Sequence, residues 1–253
     1  MVWSSAIRNQ FLVTSLVLVL NAAVFASPKD NTLPPVNDVI FTMIARDAQR
    51  QSRLEGYAGT RRYILANNQV HKRAEMIVHV SGDSDGTKHF EIVAENGWNA
   101  AQKHVLQKML ESETETSQPE EQPKTRLSAD NYEFQMVGKQ KIGGRIAYAI
   151  DVNPKRHERY LFRGRIWVDA EDYALIRAEG TPAKNLSFWT RSVHFVHMYQ
   201  KSGAFWFPLT TESETDARFF GTTDLTIEYF DYKPNVSLTA GKSMEVGQQG
   251  TQQ

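Results

Sequence analysis

The chain predicts a mainly β fold with a minor α component: one curved antiparallel sheet of roughly ten strands, with amphipathic helices on its concave side. Three observations predict it. Apolar and polar residues alternate along most of the stretch from Tyr57 to Tyr229. Only two stretches switch to a helical period. Nothing helical separates the strands of the second half, and parallel pairing would need crossovers of about a dozen residues or more.

The first element follows Pro34-Pro35. Val36, Val39, Ile40, Met43 and Ile44 fall at i, i+3, i+4, i+7 and i+8, with Asn37, Asp38, Arg46 and Asp47 off that stripe, so a helix with one face to bury is expected. The period then shortens. Tyr57, Gly59, Arg61, Tyr63 and Leu65 alternate, then Met76, Val78 and Val80, then Phe90, Ile92 and Ala94. Ser81 to Gly86 between the last two is dense in turn formers and suits a hairpin. After Gly97, Trp98, Ala101, Val105 and Met109 share one helical face, which predicts a second helix from Trp98 to Glu113.

From Glu111 to Lys124 the chain is rich in glutamate, carries Pro119 and Pro123 and has no apolar residue. Such a segment buries too little to offset its ordering cost, and an acidic, solvated loop over 111–124 is expected. Strands follow almost without interruption. Tyr132, Phe134 and Met136 turn through Gly143-Gly144 into Ile146, Tyr148, Ile150 and Val152. Leu161 to Val168 passes through Asp169-Ala170-Glu171-Asp172 into Tyr173 to Glu179. Val193 to Tyr199, Phe205 to Thr211 and Leu225 to Tyr229 complete the series. Residues 234–253 are polar and read as a flexible tail.

Before these elements an export signal is expected. Met1 to Gln10 carries only Arg8, Phe11 to Ala26 carries no charge, and Val24-Phe25-Ala26 precedes Ser27-Pro28. Cleavage after Ala26 is expected, because the apolar run falls short of the ~20 residues that span a bilayer. The domain organisation then reads as a signal peptide over 1–26, a single domain over 27–233 and the tail. The chain has no cysteine, so an oxidising compartment finds nothing to oxidise and no lipid can be attached to a new N-terminal cysteine. Export without cysteine fits a periplasm. Removing Arg8 from 29 basic residues set against 29 acidic ones leaves a nearly neutral chain, without the electrostatic footprint of a nucleic-acid binder.

Catalytic motifs are missing: no Gly-x-Ser-x-Gly, no His-Glu-x-x-His and no phosphate-binding glycine loop occurs. His194 and His197 point to opposite faces of a strand, and His71 and His79 lie over ~25 Å apart at about 3.3 Å per residue, so no metal is expected, nor any cofactor. Asp83-Ser84-Asp85-Gly86 lacks the later glycine and glutamate of a calcium loop. Asp169, Glu171, Asp172 and Glu179 flank one hairpin and read as surface turn residues. Arg145, Arg163, Arg165 and Arg177 alternate with apolar residues, and read mainly as the solvated face of the sheet.

Specific stretches resemble the periplasmic lipoprotein carriers and receptors of the LolA and LolB type, and the lipid-binding domain of the regulator RseB. They are Leu127 to Gly138, Tyr148 to Pro154, Gly164 to Glu179 and Phe205 to Pro208. The resemblance implies an unclosed β-barrel, with two or three helices as a lid over an apolar cavity that accepts acyl chains. Its implied partners are lipid or lipoprotein acyl chains and a membrane-bound donor or acceptor protein. The candidate lining residues are Val39, Ile40, Met43, Leu65, Met76, Val78, Phe90, Ile92, Val105, Met109, Phe134, Tyr148, Ile166 and Trp167. Arg163, Arg165 and Arg177 are candidates for headgroup or lid contacts at the rim. Parity alone leaves open which alternating set points inward. A carrier or sensor without enzymatic activity is therefore expected; the alternative is a regulatory module whose interior is filled and whose edges or acidic loop dock a protein.

Overall fold

The computed structural model describes residues 32–184, 190–218 and 221–236. Trp189, Phe219, Phe220, the expected export signal and residues 237–253 lie outside the described residues. Pro34-Pro35 lead into α1 (Val36–Gln51), where Asp38 in the first turn and Arg50 in the last complement the helix dipole. Val39, Ile40 and Met43 are buried, and Phe41 on the opposite face is 75% exposed.

Two antiparallel meanders follow. The first is β1 (Leu54–Asn67), β2 (Lys72–Asp83) and β3 (Lys88–Gly97). The second comprises β4 (Tyr132–Ile142), β5 (Arg145–Pro154), β6 (Phe162–Asp169), β7 (Leu175–Pro182), β8 (Thr190–Ser202), β9 (Phe205–Ala217) and β10 (Gly221–Val236). β10 pairs with β1, giving one ten-stranded sheet in the order β3-β2-β1-β10-β9-β8-β7-β6-β5-β4. β3 and β4 keep free edges, so the barrel is unclosed, as expected. Gly143 and Gly144, at φ 53° and 86°, make the β4–β5 turn that needs two left-handed residues.

Between the meanders runs α2 (Asn99–Ala101), a π-helical turn (Gln102–Leu106) and α3 (Gln107–Ser117), followed by the short α4 (Gln122–Thr125). The acidic segment is thus largely helical, not a loop. Gln102, Leu106, Leu110 and Ser117 are buried along one stripe that also contains Glu113, and Glu113 is neutralised by the sheet beneath it. The tail also begins later than Pro234, since Asn235 and Val236 pair with Gly56 and Leu54 on β1.

The concave face holds two separate cores. Under α1, Val39, Ile40 and Met43 pack with Tyr132, Tyr148, Ile150, Val152, Leu161, Ile166 and Val168. Under α2–α3, Ala101, Leu106 and Leu110 pack with Tyr63, Leu65, Met76, Val78 and Ile227. At about 1.5–3 kcal/mol for each large apolar side chain, either cluster holds its helix down. Among the described residues no helix is long and apolar enough to cross a membrane.

Candidate ligand-binding cleft

Strand register carries one row of inward side chains across the sheet: Ile150, Ile166, Ala178, His197, Thr211, Ile227, Tyr63 and Met76. Its ends lie under the helices and are apolar. Its middle, on β8 and β9, is polar: His197 Nδ1 lies 2.7 Å from Thr211 Oγ1, which lies 3.0 Å from the Tyr229 hydroxyl. Burial lowers the His197 imidazole to about 4, so it is neutral at pH 7.

Arg61, one row on, is 2% exposed. It donates to both oxygens of Glu113 on α3, at 2.7 and 3.1 Å, and to the hydroxyls of Tyr232 at 2.8 Å and Tyr63 at 3.2 Å. Its guanidinium also lies 4.9 Å from the Tyr229 ring centroid and 5.1 Å from that of Phe90. Lys88 Nζ takes Glu113 Oε1 at 2.7 Å. Burial works to raise the Glu113 carboxyl, and the charges of Lys88 and Arg61 outweigh it, holding it at about 2. Gly59 makes room for this arrangement: a Cβ there would lie 2.5 Å from the Tyr232 ring.

Beside this network opens a cleft of about 860 Å³. Its walls are the C-terminal half of α1 (Met43, Ile44, Asp47, Arg50), the β2–β3 turn with Lys88, α3 with Glu113 and Thr116, Leu127, and Leu175, Tyr57, Tyr199 and Trp206 from the sheet. The volume lies within the ~300–1,000 Å³ of small-molecule sites. Burial raises the Tyr199 hydroxyl above the ordinary phenol range, so it remains a donor.

The lining differs from the apolar set expected. Of the fourteen candidates only Met43 lines the cleft. Val39, Ile40, Leu65, Met76, Val78, Tyr148 and Ile166 are buried in the two cores, with Phe90, Met109 and Phe134 packed against them. Ile92, on the free edge strand, and Val105, on the outer side of the π-turn, are 39% and 40% exposed. Trp167 points to the convex face with Ala147, Ala149 and Ile176, because it alternates with Ile166. Arg163, Arg165 and Arg177 share that convex face, where they donate to Asn153, Asp151 and Glu179, away from the helices. Asp169 is not a surface carboxylate: it is 1% exposed, clamped by Arg145 at 2.5 and 2.8 Å, and caps its turn through the N–H groups of Glu171 and Asp172.

The parts missed had signals. Arg61 lies on the same alternation as Tyr63 and Leu65, and Glu113 continues the Leu106–Leu110 stripe at helical spacing. Tyr199 and Trp206 had none, since nothing local tells that two helices leave a gap over β8 and β9.

An open antiparallel sheet with a cleft between helices on its concave face is the class of protein described. Residues 123–232 match the model of a family of unknown function (DUF5686). A search of curated proteins finds no match. Among solved structures, the chain is similar to a DUF1329 family protein from Desulfovibrio piger, at 12% identity over 82% of this chain and 96% of that one, with TM-score 0.43. It is similar to a putative outer membrane lipoprotein-sorting protein domain from Vibrio parahaemolyticus, at 12% identity over 79% and 94%, TM-score 0.41. A LolA superfamily protein from Nitrosomonas europaea is similar at 10% identity over 79% and 94%, TM-score 0.37. Likenesses of this degree say nothing of what this chain binds.

Proposed function

We propose that this chain is an exported periplasmic binding protein, not an enzyme, which shelters an acyl chain of a lipid or lipoprotein in the cleft between α1 and α3. The observation that carries the reading is the cleft itself: two helices each seated on its own core, with about 860 Å³ left open between them. Met43, Ile44, Leu127, Leu175 and Trp206 offer apolar surface there. A buried methylene contributes about 0.8 kcal/mol, so a partly sheltered chain binds without catalytic groups. Because the C-terminal half of α3, beyond Leu110, is tied to β1 and β3 through the Glu113 ion pairs, it can lift without tearing an apolar core, which gives cargo a way in and out.

Protein purified natively from a periplasm is extracted with organic solvent and the extract read by mass spectrometry. Near-stoichiometric acyl species are expected, and they should be lost from a Leu175→Trp variant that fills the cleft. An extract free of acyl species from wild-type protein overturns the carrier reading. The docking-module reading draws on β3, an edge strand exposed along nearly its whole length; it would be favoured by a bound protein partner alongside an empty cleft.

A further inference from the structure

Arg50 stands in the cleft with hydrogen-bond donors to spare. Its side chain is 12% exposed, and one N–H donates to the Asp172 carbonyl at 3.2 Å. Its nearest carboxylate, Asp47, is 61% exposed and lies 3.6 Å away, beyond hydrogen-bond length. A guanidinium has five N–H groups. Among the described residues no buried side-chain nitrogen or oxygen lacks a partner, so the unused donors of Arg50 reach the open space that it lines.

The acidic groups of the cleft wall other than Asp47 are committed elsewhere. The Asp172 carboxylate cannot turn to Arg50, because Lys201 holds it at 2.6 Å and the Trp206 indole N–H at 3.2 Å. Glu113 is shared by Arg61 and Lys88, Asp83 lies 2.8 Å from His89, and Asp85 accepts the Thr87 N–H. The helix dipole accounts for a cation in the last turn of α1, but not for its burial, since Arg46 one turn earlier is exposed. Met43 lies two turns back from Arg50 on the same side of the helix, about 10 Å along the axis. Apolar wall and cation are therefore laid out as an amphiphile would need them.

We infer that Arg50 receives the anionic headgroup of the bound amphiphile, a carboxylate or a phosphate ester. The inference rests on the acyl-chain reading and names the ligand's charged end. Calorimetric titration of the lipid-stripped protein compares dodecanoate, dodecyl phosphate, dodecanol and inorganic phosphate. One of the two anionic amphiphiles should bind about tenfold or more tighter than the alcohol. Arg50→Gln should bring it down to the alcohol's affinity while leaving the alcohol unchanged; Arg50→Lys should keep part of the preference, and Arg46→Gln all of it. Equal affinity for acid and alcohol in the wild type, or an Arg50→Gln change that weakens both alike, overturns the assignment and leaves the acyl reading standing. If no amphiphile binds, the acyl reading itself falls and takes this inference with it. Inorganic phosphate binding as tightly as dodecyl phosphate marks a free-anion site and also overturns the headgroup role.

Discussion

Beneath α1 the inward row of the sheet reads Ile150, Ile166, Ala178; on the next two strands it reads His197, Thr211; beyond them it returns to Ile227, Tyr63 and Met76. The flanks are dry and covered, each by one helix. The middle is polar and lies beside the cleft, while the Glu113 ion pairs tie α3 to β1 and β3 on one flank. One sheet thus keeps its two apolar cores and its opening in different strands. The largest expected effect tests the dry side. Ile166→Ala, at a fully buried site, should cost about 4 kcal/mol in urea denaturation, and Thr211→Ala in the middle about 1 kcal/mol. Equal costs would mean that the middle is packed as tightly as the flanks.

Arg61 is where the two regions meet, and it comes next in size. Arg61→Met leaves Glu113 with Lys88 alone and two tyrosine hydroxyls without their donor, and should cost about 3 kcal/mol. Adding Glu113→Leu removes the stranded carboxylate and should recover most of that loss, since Leu106 and Leu110 on the same stripe already meet an apolar surface. A double variant as unstable as the single one would show that the ion pair shapes the site as well as bridging it.

Acid separates the regions by a different lever. His197 has its folded pKa lowered from 6.5 to about 4, so between those values the unfolded chain binds the extra proton and stability falls as pH drops from 6.5 towards 4. Glu113, lowered from 4.5 to about 2, contributes stability that is fully present above 4.5 and is lost as pH falls through 2. Denaturation midpoints followed from pH 7 to pH 2 should therefore fall in two windows. His197→Gln should flatten the upper one and Glu113→Gln the lower. A profile unchanged by His197→Gln would place that imidazole in contact with water.

The strands were legible because period-2 alternation is a local property. Tyr57 to Leu65, Met76 to Val80 and Tyr148 to Val152 each lie where the pattern put them, and the Gly143-Gly144 turn follows from what two glycines permit. The 111–124 segment was misread because composition measures average burial, whereas a single stripe, Leu106, Leu110, Glu113 and Ser117, is enough to hold a helix when the sheet supplies Arg61 and Lys88. The cleft was the least legible part. Its walls come from α1, the β2–β3 turn, α3 and the β6–β7 turn, and the sequence has no local mark for a volume that exists only between them.

The smallest effect is expected on the convex face. Arg177 donates to Glu179 at 2.6 and 3.1 Å and lies 5.1 Å from the Trp167 ring, so on paper it is nearly as well partnered as Arg61. Both members of the pair are 30% exposed, against 2% for Arg61. Water solvates either charge once the other is gone, so Arg177→Gln should cost about 0.5 kcal/mol, and less in high salt. A loss approaching that of Arg61→Met would mean that the convex face is covered in solution, and the contrast between a buried inner network and a solvated outer one would have to be redrawn around whatever covers it.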